Sequence, residues 1–309
     1  MPETGIGAGV AAKARNGLRS RAPARVSVDR MRVATWNVNS VRSRVTRVVD
    51  WLVREDVDVL GMQEIKCRED QFPFEAFSDA GYEVVLHGLN QWNGVAFASR
   101  LPIEDVATGF DSAPGWGKPL DDGSLPKEAR AIGVTVNGVR LWSLYVPNGR
   151  TLDDPHYGYK LDWLAKLAAE TRAWIEADPA KPFALMGDFN IAPLDIDVWD
   201  INVFAGSTHV SQPERDAFQA LLDSGLIDPL RTRGVEGFTY WDYQQLRFPR
   251  KEGMRIDFIL GSKAFDDLVT AGAIHREERK GTAPSDHVPV TVDLALEPEE
   301  DDDDRPMFL

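Results

Sequence analysis

Apolar residues fall into two kinds of segment that follow one another along the chain: short strand-like runs closed by Asp, Glu, Asn or His, and longer stretches with helical spacing. Residues 32–38 predict a first strand that delivers Asn37 and Asn39 at its end. Val41, Val45, Val48, Val49, Leu52 and Val53 then recur near a 3.6-residue period and predict a helix, its apolar stripe set between Arg42, Arg44, Arg47 and Arg54. Residues 57–62 read as a strand ending in Gln63-Glu64, and 83–87 and 94–99 as a further pair. A stretch dense in Gly, Pro and Asp, 111–127, predicts a long surface loop. Residues 131–136 and 139–146 flank Asn137-Gly138, the pair suited to a type I′ hairpin, and the second strand ends at Tyr145. A helix over 160–177 leads to the run 182–186, after which Gly187 precedes Asp188 and Asn190; these two, spaced by two in extended chain, leave the strand on one side. A helix over 214–224 closed by Gly225, an aromatic cluster over 238–243, and a strand over 255–260 with Asp257 in its interior follow. Asp286-His287 then precede a final alternating strand, 288–296.

With 309 residues and no break in composition between 31 and 296, the simplest division is one catalytic domain with two tails. Residues 1–30, rich in Ala, Gly and Arg, are expected to be disordered, and 297–309 form an acidic tail. No run approaches the length of a membrane span, which implies a soluble protein without a membrane partner. The single cysteine, Cys67, excludes an intramolecular disulfide and a thiolate zinc cluster. It fits a reducing compartment, here a cytoplasmic, nucleoid-associated location. The net charge of -14 argues at first against a polyanionic partner. The tails carry six basic and two acidic groups at the start and seven acidic and one basic at the end, so the middle keeps -12. A negative core binds phosphates if its acids gather around a divalent metal and its arginines line the contact face.

The strand ends contribute Asn37, Asn39, Glu64, Tyr145, Asp188, Asn190, Asp257, Asp286 and His287, an oxygen-rich set with one imidazole and no thiolate. Hard oxygen donors suit Mg²⁺ or Mn²⁺, and a carboxylate inside a strand is costly without a cation, a metal or a histidine beside it. The chemistry that needs such a set is hydrolysis of a phosphate ester. Plainer alternatives stand at several positions: a solvated turn at Asp188 and Asn190, a solvated helix face for Arg42 and Arg44 in place of a phosphate contact, and core packing for Tyr145.

Thr35-Trp36-Asn37-Val38-Asn39, Gly61-Met62-Gln63-Glu64, Tyr145-Val146-Pro147-Asn148-Gly149, Gly187-Asp188-Phe189-Asn190, Arg255-Ile256-Asp257 and Ser285-Asp286-His287 occur in that order. Each is weak alone; together they resemble the motif series of the exonuclease III family of abasic-site endonucleases, within the endonuclease/exonuclease/phosphatase superfamily. The resemblance implies an α/β fold, a four-layer sandwich of two mixed β-sheets packed face to face with helices on the outer faces. It implies a divalent-metal-dependent DNA repair phosphodiesterase that cuts 5′ to abasic sites in double-stranded DNA and trims blocked 3′ ends in the 3′ to 5′ direction, acting as a monomer. Glu64 and Asp286 are implied as principal metal ligands, with Asn37, Asn39, Asp188 and Asn190 near the metal. Asp188 is implied to handle the attacking water, Asn190, Tyr145 and His287 to contact the phosphate, and Asp257 to orient His287. Tyr240, Trp241, Met254 and Ile256 are implied to form a small pocket for a flipped baseless sugar, with core packing as the alternative, above all for Trp241. Two other readings remain: a superfamily phosphatase on a small phosphate ester, and a non-catalytic nucleic-acid-binding regulator on the same fold.

Overall fold

The computed structural model describes residues 29–296. The expected tails therefore lie, apart from Asp29 and Arg30, outside the described residues. Twelve strands form two six-stranded mixed sheets. One holds β1 (Arg30–Asn37), β2 (Val59–Gln63), β3 (Glu83–His87), β4 (Val95–Ser99), β11 (Val269–Ile274) and β12 (Val290–Ala295), in the order β11-β12-β1-β2-β4-β3. The other holds β5 (Glu104–Thr108), β6 (Ala131–Val136), β7 (Val139–Tyr145), β8 (Phe183–Asp188), β9 (Leu226–Ile227) and β10 (Asp257–Ser262), in the order β5-β6-β7-β8-β10-β9. The helices are α1 (Val41–Arg54), α2 (Phe74–Asp79), α3 (Pro155–Ala177), α4 (Gln212–Asp223), α5 (Pro229–Thr232) and α6 (Lys263–Leu268).

Strand alternation sorts the apolar residues into three interfaces. Val33, Val59, Phe97, Val134, Leu141, Met186 and Ile259 meet between the two sheets. Trp36, Leu60 and Met62, on the opposite side of the first sheet, pack with Trp51, Leu52 and Phe77 of α1 and α2. Leu144, Leu185 and Phe258 of the second sheet pack with Trp163, Leu167 and Phe218 of α3 and α4. The result is the expected sandwich, with helices outside two facing sheets. Central strands β2, β4, β6, β8 and β10 are buried at every residue because both of their faces are covered. One polar bolt crosses the core under the strand ends: Gln63 Nε2 donates to Thr35 Oγ1 at 3.0 Å and across to Ser143 Oγ at 2.9 Å.

Most predicted elements are present, and the differences have physical causes. Asn137 and Gly138 have φ of 46° and 77°, the two positive values that a type I′ turn requires. In α1 the buried stripe runs through Val48, Trp51 and Leu52, whereas Val53 is 59% exposed, because it lies a further 100° around the helix. Helix α3 begins at Pro155 and not at residue 160, its N-cap Asp154 accepting the His156 N–H at 2.8 Å. Asp257 is the first residue of β10 and not an interior one; Thr239 Oγ1 accepts its N–H at 3.1 Å. Strands β5, β9 and β11 were not anticipated. All three are sheet edges: β5 is mostly exposed and β11 partly so, which weakens the apolar signal, and β9 is only two residues long. No described helix is long and apolar enough to cross a membrane.

Gly187 is the constraint on the end of β8. Its φ is 146°, and a Cβ there would meet the carbonyl of Leu144 on the adjoining strand. Gly187→Ala is expected to destabilise the protein by on the order of 3 kcal/mol, the sum of backbone strain and overpacking. Urea denaturation checks this, and a midpoint unchanged from wild type would contradict it.

Candidate active site

Neighbouring strands end in register. In the second sheet Tyr145 of β7 pairs with Asp188 of β8, and Asp188 pairs with Asp257 of β10. In the first sheet Asn37 of β1 pairs with Gln63 of β2, so that Glu64 follows directly. Because β1 lies over β8, the two rows of strand ends face each other at one edge of the sandwich. Asn37 joins them: its Nδ2 donates to Glu64 Oε1 and to Asp188 Oδ2, both at 2.9 Å. The other oxygen of Asp188 accepts the Asn190 N–H at 2.9 Å. His287 enters from the loop before β12, its Nδ1 donating to Asp257 Oδ2 at 2.9 Å while Nε2 faces Asp188 Oδ2 at 3.8 Å. Ser285 fixes that loop by donating to the Asn37 carbonyl at 2.7 Å and accepting the His287 N–H at 3.2 Å. Asn39, Ser40, Glu64, Lys66 and Asn190 all have left-handed φ, between 42° and 82°, which concentrates backbone strain at the site.

The charges explain one another. Burial raises the Asp188 carboxyl; the His287 cation opposes this, but Asp257 and Glu64 add to it, and the group is pushed up to about 7. Burial alone would lower His287, but the carboxylates of Asp257 and Asp188 more than reverse that and raise it to about 10. The ring is therefore an imidazolium at neutral pH, clamped between two acids. Burial would also raise Glu64, but the Lys66 ammonium and the Asn37 amide outweigh it and the carboxyl is lowered. Tyr145 is raised well above the usual phenol value by burial and by Glu64, so its hydroxyl remains a proton donor. The Arg130 guanidinium, 4.9 Å from the Tyr145 ring centre, holds the ring in place.

Other anticipated residues sit at graded distances from this centre. Asp286 Oδ1 accepts from Asn39 Nδ2 at 2.9 Å, Asn39 Oδ1 accepts from Lys66 Nζ at 2.6 Å, and Lys66 Nζ lies 2.6 Å from Glu64 Oε2. Asp286 thus connects to Glu64 through an amide and a lysine. Donor atoms of Glu64, Asp188 and His287 lie within 4.8 Å of one another. With His287 Nδ1 committed to Asp257, the carboxylates of Glu64 and Asp188 supply hard oxygen donors that suit a divalent cation. Arg44 donates to the Asn39 carbonyl and, from Nη2, to Tyr243 Oη at 2.9 Å, so it braces the β1–α1 turn. Arg42 is exposed and lines an open groove of about 510 Å³ with Ser43, Arg47 and Thr282. The Tyr240 ring lies 4.8 Å from the His287 ring, its backbone bridged to both His287 and Met254. Met254 and Ile256 form a small apolar cluster with Val198 and Ala192 against Tyr240. Trp241 is 1% exposed, packed edge-on to Phe248, which matches its core alternative.

Sequence reasoning missed Lys66 and His209. Lys66 stands two residues after Glu64, a spacing that could have drawn notice; His209, whose Nε2 lies 3.1 Å from Asn190 Oδ1, sits in an irregular segment with no local signal.

The His287–Asp257 pair generates a pH prediction. A histidine raised above its ordinary 6.5 stabilises the fold fully below that pH, and the contribution is lost as pH climbs toward about 10. In metal-free protein the ring nitrogens of His287 are expected to keep imidazolium shifts at pH 7.5 by nitrogen NMR. Asp257→Asn should let the ring deprotonate at least about 1 unit lower and remove that part of the alkaline loss of stability. A wild-type ring titrating near 6.5 would contradict the assignment.

The family model described as the Endonuclease/Exonuclease/phosphatase family matches residues 34–287. Exodeoxyribonuclease III of Haemophilus influenzae is 29% identical over 277 residues, covering 85% of this chain and all of that protein. The DNA repair nuclease APEX1 of Danio rerio is 28% identical, with 86% and 83% covered. Among solved structures, an AP endonuclease from Archaeoglobus fulgidus is 32% identical with a TM-score of 0.78, covering 86% of this chain and all of that one. A 3′ phosphatase from Neisseria bound to a product DNA hairpin is 38% identical, with the same TM-score and coverage. The order of the six motifs, the paired sheets and the site at their shared edge thus belong to a member of the Endonuclease/Exonuclease/phosphatase family, on its exonuclease III and abasic-site endonuclease branch.

Proposed function

We propose that the protein is a DNA repair hydrolase that cuts the phosphodiester bond 5′ to an abasic site and clears blocked 3′ ends. It works as a cytoplasmic, nucleoid-associated monomer with Mg²⁺ or Mn²⁺. The observation that carries this reading is the joint placement of the Asp188 carboxylate, the His287 imidazolium and the Tyr145 hydroxyl around one edge of the sandwich. A base pushed toward neutrality beside two proton donors is what attack of water on a phosphate requires.

Asp188 takes the proton of a water aimed at phosphorus. Its orientation comes from Asn37 and from the Asn190 N–H, and its readiness to accept comes from burial among Asp257 and Glu64. His287 Nε2–H and Tyr145 Oη–H donate to the phosphoryl oxygens as negative charge builds. Asn190 spends one Nδ2–H on the Val146 carbonyl at 2.9 Å and keeps the other for the phosphate. Glu64 would hold the divalent cation, with Asp286, Asn37 and Asn39 around it; when bound, the cation neutralises charge on the phosphate and on the departing 3′ oxygen. The bond from water to phosphorus forms as the bond from phosphorus to the 3′ oxygen breaks; that oxygen takes a proton from solvent and Asp188 returns its proton to solvent, leaving a 3′ hydroxyl and a 5′ phosphate on the baseless sugar.

Phosphate chemistry alone cannot read a missing base, so selectivity rests on groups beside it. Tyr240, which caps His287 and backs onto Met254 and Ile256, forms the wall against which a flipped baseless sugar would rest. A non-catalytic regulator would have no use for the buried charges gathered around Asp188, and nothing at the site favours a small phosphate ester.

Turnover of an abasic duplex, an intact duplex and an inositol phosphate, each with Mg²⁺, with Mn²⁺ and with EDTA, tests the reading. The abasic duplex is expected to be incised, chelation to abolish incision and either metal to restore it. Full incision in EDTA, or preference for the inositol phosphate, would overturn it. Tyr240→Ala is expected to reduce abasic incision roughly tenfold more than cleavage of a small phosphodiester; equal losses would assign Tyr240 to packing.

A further inference from the structure

Lys160 lies in the first half of α3, and its side chain has no exposure to solvent. An ammonium in that position needs a strong reason, because taking it out of water is costly before any partner is counted. Its Nζ donates to three oxygens: Glu214 Oε1 of α4 at 2.5 Å, the Asn190 carbonyl at 2.7 Å and the Asn148 carbonyl at 3.2 Å. Two of the three are main-chain groups of the loops that follow β7 and β8, the strands that end in Tyr145 and Asp188. Glu214, equally buried, is held in turn by Thr208 Oγ1 at 2.7 Å and Ser211 Oγ at 2.6 Å.

The same two loops are tied a second time through side chains. Asn190 Oδ1 accepts from Asn148 Nδ2 at 3.2 Å and lies 3.1 Å from His209 Nε2. Burial and the nearby Lys160 keep His209 neutral, and its Nε2 sits between Asn190 Oδ1 at 3.1 Å and Asn148 Nδ2 at 3.3 Å. Asn190 is thereby held at both its carbonyl and its amide oxygen, in the left-handed backbone, φ 51°, that asparagine adopts more readily than other non-glycine residues. The N–H of the same residue donates to Asp188 Oδ1 at 2.9 Å, so the residue whose carbonyl Lys160 grips is also bonded directly to that carboxylate.

We infer that Lys160, braced by Glu214, is a positioning residue for the reaction: by gripping the Asn148 and Asn190 carbonyls it holds the β7 and β8 loops in the one arrangement that aims the Asp188 carboxylate. The inference rests on the reading of Asp188 as the group that handles the attacking water. Lys160 itself reaches neither that carboxylate nor any place a substrate would occupy, being sealed behind the two loops. An ordinary buried ion pair would stabilise the fold without regard to what lies in front of it; this one ends on the two carbonyls that set the loop geometry. A misplacement of the order of an ångström at a catalytic group costs up to about a hundredfold in rate.

The test uses the full chain with an abasic duplex and Mg²⁺. Lys160→Met alone would leave Glu214 buried and uncompensated, so the double variant Lys160→Met/Glu214→Gln is measured beside it, with Lys160→Arg as the conservative change and thermal melts for all. The double variant is expected to fold and melt cooperatively, with kcat reduced roughly 10- to 100-fold and KM within about threefold of wild type. Lys160→Arg should recover a large part of kcat. In an Asp188→Asn background the double variant should add less than about threefold further loss, because its effect passes through Asp188. Unchanged kcat in the folded double variant would make the ion pair purely structural; a raised KM at constant kcat would make it a substrate contact; multiplicative losses with Asp188→Asn would separate it from that carboxylate. Any of the three overturns the inference while leaving the wild-type reading intact, whereas a wild-type enzyme inert on the abasic duplex removes both.

Discussion

Three carboxylates, those of Glu64, Asp188 and Asp257, are brought together at one edge of the sandwich where little water reaches them. Like charges so placed repel strongly in a poorly polarisable interior, and the arrangement persists only because cations and amide donors stand between them. His287 separates Asp257 from Asp188, Asn37 separates Asp188 from Glu64, and Lys66 covers the far oxygen of Glu64. Each acid consequently has a different partner, and Glu64 and Asp188 differ in their readiness to hold a proton. Glu64 is lowered and fit for a metal, Asp188 is raised and fit to accept from water, and Asp257 is committed to its histidine.

The rest of the fold serves that placement. Parallel pairing of β1 with β2 and of β7 with β8 puts strand ends of like polarity side by side, and the antiparallel β10 brings Asp257 back to the same rank. The two sheets then stack so that the rows face each other. Gln63 fixes their relative height through its bond to Ser143, and Gly187 allows the approach of β7 immediately before Asp188. Local backbone strain at Asn39, Glu64, Lys66 and Asn190 is held by surrounding hydrogen bonds, which is the expected location for strain in an enzyme.

Much of this was legible in the sequence because it is written locally. An apolar run that stops at a polar pair marks a strand end, so Asn37, Glu64, Tyr145, Asp188 and His287 could be named before any coordinates, and Asn137-Gly138 announced its turn. The need of Asp257 for a partner pointed to a histidine, and His287 is that partner. The link from Asp286 to the centre was less direct than expected, since Asn39 and Lys66 stand between it and Glu64. Edge strands β5 and β11 escaped because partly exposed pairing leaves a weak pattern, and β9 because two residues make no pattern. Lys160 and Glu214 escaped for a deeper reason: each reads as an ordinary charged position on a helix, and only packing of α3 against α4 seals them together behind the site. Residues whose role is created by tertiary contact carry no signature of their own.

The central claim is that Asp188 acts through its charge, on water, and not through its shape. Asp188→Asn preserves the side-chain outline, and steady-state incision of an abasic duplex alongside equilibrium binding of the same duplex measures both properties. The account predicts turnover lower by about a hundredfold or more with affinity for DNA within about threefold of wild type. Turnover near the wild-type value would contradict it, as would a loss explained by weakened binding alone.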